Sequence, residues 1–146
     1  MNVLNAFKKP RRRAAILALV LTGALGATAL AAVSNLTLDP TAALSPGRLH
    51  ATLTGKVTCD PGDNVFMNGQ IVQPKNTSGF GSTQAVCDGT SHPYAIDVAI
   101  GGFFPGSSSG VFKAGKANAQ VSMFTCDPFA PICTPKYTDA VIRLTK

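Results

Sequence analysis

Residues 49–59 read LHATLTGKVTC, and this stretch decides the fold class. Leu49, Ala51, Leu53, Val57 and Cys59 are apolar, and His50, Thr52, Thr54, Lys56 and Thr58 stand between them. Apolar residues recurring at every second position put one side of an extended chain in a core and the other in water. The same period recurs along the chain. NLTLD and TAALS form a first strand broken at Pro40, and NVFMNGQIVQ a third after 49–59. GFGSTQAVC gives a glycine-rich fourth. Tyr94, Ile96, Val98 and Ile100 mark the inward side of a fifth, Ala117, Ala119, Val121 and Met123 that of a sixth, and Ala140, Ile142 and Leu144 that of a seventh. Between the fifth and sixth, GGFFPGSSSG is a glycine, proline and serine loop carrying Phe103 and Phe104. Seven short alternating strands separated by turns predict an all-β, antiparallel β-sandwich.

That domain is expected to begin near residue 32. The segment before it ends its basic part in KKPRRR and continues AAILALVLTGALGATALAA without a charge, with Ala29-Leu30-Ala31 as a small-x-small cleavage site. This is the pattern of a secretory signal peptide over residues 1–31, leaving 32–146 as a single domain. Without the leader the charge changes character. Five of the thirteen Lys and Arg lie in it, so eight face seven aspartates in the remainder, and the formal +6 shrinks to +1. A chain so nearly neutral offers no basic footprint for nucleic acid, and once the leader is gone it has no membrane segment.

All four cysteines, Cys59, Cys87, Cys126 and Cys133, fall in the exported part. An even number in an oxidising compartment reads as two disulfides, with three possible pairings. Zinc ligands come in tighter pairs, typically two to four residues apart, whereas CDPFAPIC holds six residues between Cys126 and Cys133 and CxxC is absent. No metal and no cofactor is expected. Three of the cysteines end strands in the same way, as Cys59-Asp60-Pro61, Cys87-Asp88-Gly89 and Cys126-Asp127-Pro128, and Asp, Pro and Gly are turn formers. With strands alternating in direction, all four thiols crowd one pole. Cys59–Cys126 with Cys87–Cys133 is geometrically open, but proximity favours Cys126–Cys133, which needs only a hairpin tip, and Cys59–Cys87. In the loop-entropy relation these two rings contribute about 2.5 and 3.6 kcal/mol.

GKVTCDPGDNVFMNGQIVQ, GFGSTQAVCDGTSHPYAIDV, FKAGKANAQVSMFTCDPFAPIC and DAVIRL together resemble a family of small secreted actinobacterial proteins of unknown function. The resemblance runs from about Leu36 to Leu144, and it implies an immunoglobulin-like sandwich and secretion but no activity. More distantly, a sandwich with a short disulfide-closed loop is similar to the neocarzinostatin-type apoproteins, which hold a small molecule in a cleft beside such loops. None of their ligand-contacting motifs has a counterpart here.

The catalytic inventory is thin, with no Glu and only two histidines. Ser91-His92 lacks an assigned orienting acid, and His50 lies on a wet strand face away from any evident carboxylate. Asp97 and Asp139 occupy outward strand positions, unlike the paired carboxylates of a glycosidase. Charge is sorted by pole instead. Asp60, Asp63, Asp88 and Asp127 gather in loops at the cysteine pole, and Arg48, Lys75, Lys113 and Lys116 at the other. The sequence therefore predicts a non-enzymatic, secreted, disulfide-stabilised binding module, extracellular or associated with a bacterial cell envelope. Its recognition pole would comprise Asp60, Asp63, Asp88, His92, Asp127 and Phe129. Phe129, held between Pro128 and Pro131 with Pro135 beyond, is the apolar anchor or else a plug over the core. The partner would be a small molecule or an extracellular protein or glycan. A passive structural role is the alternative, and a hydrolase the third.

Overall fold

The computed structural model describes residues 35–74, 77–101, 110–126 and 133–146. The leader, Lys75, Phe103, Phe104, and the loop residues Asp127, Pro128, Phe129 and Pro131 lie outside them. Every regular element among the described residues is a strand: β1 (Asn35–Leu36), β2 (Thr41–Leu44), β3 (His50–Thr58), β4 (Val65–Gln73), β5 (Thr77–Ala85), β6 (Ser91–Ile100), β7 (Gly115–Cys126) and β8 (Cys133–Thr145). No helix among these residues is long and apolar enough to cross a membrane.

The strands form one sheet that closes on itself. From β3 the ladder passes through β2, β8, β7, β4, β5 and β6 and returns to β3, a seven-strand barrel. β1 precedes β2 along the same edge of β3, and Pro40 breaks the pair into two short strands. All neighbours are antiparallel except β2 and β8, where Thr41–Ala43 runs parallel to Arg143–Thr145. Two long patches dominate: β3 with β6, and β5–β4–β7–β8. They join through thin seams, one of two residue pairs between β5 and β6 and one through the short β2.

The expected separation into two sheets is thus replaced by closure at both edges, and glycine explains the β5–β6 seam. A Cβ on Gly79 would stand 2.7 Å from the Ala99 carbonyl oxygen, and one on Gly81 would strike that of Asp97. Without those side chains β5 can bend onto β6.

Alternation sets the core. Leu53, Val57, Val65, Met67, Ile71, Ile96, Val98, Val121, Met123, Ile142 and Leu144 all point inward and are sealed from solvent. Leu49, expected among them, sits one residue before β3 and is 51% exposed. The last strand is longer than its apolar residues suggest. It starts at Cys133 and contains Pro135, opposite Phe124 of β7. A missing N–H is tolerated there because β2 pairs only with the far end of β8, so this stretch is an edge.

One close approach fixes the beginning of the barrel. Gly55 lies opposite Tyr94, whose hydroxyl crosses the space a side chain would fill and donates to the Thr37 carbonyl at 2.6 Å. Burial, and then the charge of Asp39, push the Tyr94 phenol up to about 12.

Candidate functional site

At one end of the barrel lie Thr58, Val65, Ala85, Ser91 and Thr125, as their pairings require. The structure joins Cys59 to Cys87 and Cys126 to Cys133 at this same end. Cys126 and Cys133 are direct cross-strand partners, so the second bridge closes a hairpin tip. The first ties the end of β3 to the end of β5, across the β5–β6 seam. Backbone bonds reinforce it: Gly62 N–H donates to the Cys87 carbonyl and Gly89 N–H to the Cys59 carbonyl.

Each loop here is shaped by its turn residues. In Asp60-Pro61-Gly62-Asp63 the Asp63 N–H returns to the Asp60 carbonyl at 3.2 Å, with Gly62 at φ +88°. Proline followed by a left-handed glycine is the requirement of a type II turn. In the β5–β6 loop Gly89 has φ +84°, and Asp88 Oδ1 accepts the Thr90 N–H at 2.8 Å and the Thr90 hydroxyl at 2.7 Å. His92 Nε2 lies 2.8 Å from the same oxygen. The Thr90 hydroxyl, the Thr90 N–H and then His92 hold the Asp88 carboxyl down at about 2. Asp63 moves the other way, raised first by desolvation and then by Asp60. Its Oδ2 is closed to solvent and finds no hydrogen-bond partner among the described residues.

Four of the expected site residues, Asp60, Asp63, Asp88 and His92, therefore share this pole, while Asp127 and Phe129 lie outside the described residues. Among those described, no three His, Cys, Asp or Glu side chains converge as metal ligands. Nor do Asp88, His92 and Thr90 make a catalytic triad. The Thr90 hydroxyl, 3.1 Å from His92 Nε2, and Asp88 meet the same ring nitrogen, whereas a triad needs the acid on the other one. Cys87, being bridged, cannot serve as a thiolate for His92.

Three features fall outside the sequence reading. His50 has a carboxylate after all: its Nδ1 lies 2.9 Å from Asp97 Oδ2, because the β3–β6 register makes them diagonal neighbours on one face. At the opposite pole a pocket of about 270 Å³ is lined by Gln73, Pro74, Thr77 and Lys113. Gln73 is buried, donates to the Lys113 and Lys116 carbonyls and accepts the Lys113 N–H, so it anchors the approach to β7. Phe112, fully buried, closes the core beside it with its N–H on the Arg48 carbonyl. The third feature is a run of aromatics on the outer face of β4, β7 and β8. Phe66 stands opposite Phe124, and Tyr137 is 66% exposed. The signal in sequence was their position on the wet parity of each strand, where Ser, Asn and Gln otherwise stand. No protein-family model, curated protein or solved structure matches this chain.

Proposed function

We propose that this chain is an exported, non-catalytic binding module with immunoglobulin-like layering, and that the cysteine pole is its recognition end. The layering is supported by the split first strand, antiparallel on β3 and then parallel on β8, and by the two extended patches joined through thin seams. Export accords with two disulfides, which suit an oxidising compartment.

One observation carries the site. The β3–β4 and β5–β6 loops are locked together by Cys59–Cys87 and its two flanking backbone bonds, so they present Asp60, Asp88 and His92 on a platform that is already ordered. Pre-ordered loops lose little entropy when they bind. Phe129, the expected apolar anchor, belongs to the adjoining loop. A passive envelope role would need no such platform, and a hydrolase would need a nucleophile and base that Thr90, His92 and Asp88 do not supply. The 270 Å³ pocket supports a second reading, a small apolar ligand held at the opposite pole.

Hydrogen-exchange footprinting with isolated bacterial envelope fragments separates these readings. Protection is expected at residues 60–63 and 88–92. Protection confined to Gln73, Thr77 and Lys113 moves the site to the pocket, and protection nowhere overturns the binding role.

A further inference from the structure

The outer face of β4, β7 and β8 has a composition that folding does not require. The register sets Phe66 beside Phe124 and Phe124 beside Pro135, with Tyr137 one pleat further along β8. Phe66 is 46% exposed and Tyr137 66%. Single exposed apolar residues are ordinary, but aromatic rings on neighbouring rows of adjacent strands form a patch. Next to them Asn68 faces Ser122 and Gln70 faces Gln120. Asp139, opposite Gln120, is the only charged side chain on this face among the described residues until Lys116 and Arg143 at the far end.

That combination selects an occupant. A charged partner would find almost nothing to pair with. A lipid surface would desolvate the interleaved amides without replacing their hydrogen bonds, an unfavourable transfer. A neutral sugar chain suits both components. The C–H face of a pyranose ring is apolar and stacks on an aromatic ring, and its rim of hydroxyls both donates and accepts, as Asn and Gln side chains do. Adjacent strands lie ~4.8 Å apart, so the rings form a strip ~10 Å long across three strands, suited to an extended chain rather than a single sugar. Rings mounted on paired strands also have few rotamers to lose on binding.

We propose that this face is a platform for a neutral, extended polysaccharide, with Phe66, Phe124 and Tyr137 stacking on sugar rings and Asn68, Gln70 and Gln120 bonding their hydroxyls. It goes beyond the recognition pole and uses none of its residues.

Depletion isotherms on insoluble cellulose and on chitin, run with the full exported protein, test it. The wild type is retained by at least one, and retention persists in high salt because no ion pair is involved. Tyr137→Ala and Phe66→Ala each bind about tenfold more weakly, the loss expected for an aromatic anchor, with melting temperatures close to wild type. Asp88→Ala with His92→Ala leaves retention unchanged, which separates this face from the recognition pole. Failure of the wild type to bind either polysaccharide overturns the proposal, as does equal binding by the aromatic variants. A dimer in sedimentation velocity that Tyr137→Ala dissociates also overturns it, by giving the face to a second copy of the chain.

Discussion

The barrel has two broad outer faces, built by the same alternation and carrying opposite chemistry. Over β3 and β6 the outward residues include threonines, Lys56, His50 and Asp97. His50 bonds to Asp97, and the face reaches the β1–β2 connection through the Thr54 hydroxyl, which donates to Asp39 at 2.6 Å, and the Lys56 N–H, which donates to the Thr37 hydroxyl at 3.0 Å. Over β4, β7 and β8 they include Phe66, Phe124 and Tyr137, the amides of Asn68, Gln70 and Gln120, and the exposed Val72 and Val141, with charge among the described residues confined to Asp139 and the far-end Lys116 and Arg143. Inward residues answer to one requirement, the packing of a common core. Outward residues are free of it, so the contrast between the faces reflects what each is used for. The first face stitches β1 and the β1–β2 connection onto the barrel. The second carries the exposed rings Phe66 and Tyr137, the larger departure from an ordinary wet face.

The sharpest way to break the comparison is to cut the tie between the two patches. Replacing Cys59 and Cys87 together by Ala should cost about 2–5 kcal/mol, read by thermal or denaturant unfolding. The β5–β6 seam has only two ladder pairs to resist opening. Cys126 and Cys133 are already paired within the β7–β8 hairpin, so their replacement should cost less; an equal cost would mean that the Cys59–Cys87 bridge has no special role in joining the patches.

Gly55→Ala tests the same attachment of the β1–β2 connection from inside the barrel. Its Cβ would stand 2.6 Å from the Tyr94 hydroxyl oxygen and drive it from Thr37, with an expected loss of about 1–3 kcal/mol. Tyr94→Phe, which removes the bond without the clash, should cost about 1 kcal/mol. Unchanged melting in both variants would show that β1 contributes nothing to the barrel.

The smallest effect lies at the pole between the faces. Asp88 has its carboxyl depressed to about 2, so its contribution to stability is present above its ordinary value of 3.8 and is lost as pH falls from there toward 2. The Asp88→Asn variant should therefore be somewhat less stable than wild type at neutral pH and show a flatter acid limb in its stability–pH curve, the two converging near pH 2. A full acid limb in the variant would assign it to other carboxylates.

Much of this was legible in the residues, for reasons that also mark where legibility ended. Period two located the strands, the break at Pro40 and the shared pole of the cysteines, since a strand's direction and parity follow from its own sequence. Register does not. It depends on which residues of two distant strands meet, so the His50–Asp97 pair stayed hidden although both residues had been placed on outward positions, and so did the Phe66–Phe124 row. The closure of the barrel was hidden for a related reason. Gly79 and Gly81 read only as part of a glycine-rich strand, and the Ala99 and Asp97 carbonyls beside them show what the missing side chains permit. Pro135 read as a loop stiffener because the exposed edge that accommodates it is a property of β8's neighbours. At the candidate site, the turn residues foretold the loops but not the Asp88–Thr90–His92 network, which depends on side-chain direction.

The parallel pairing of β2 with β8 has a mechanical consequence. β1 begins at the cysteine pole and β8 finishes at the other, so tension between them runs along the strands and across their hydrogen bonds. Loaded in that direction, the Arg143 N–H to Pro40 carbonyl bond and the short ladder beside it are sheared together rather than peeled one by one. A chain held at one end in an envelope and pulled at the other would meet its resistance there, in a clamp of three residue pairs.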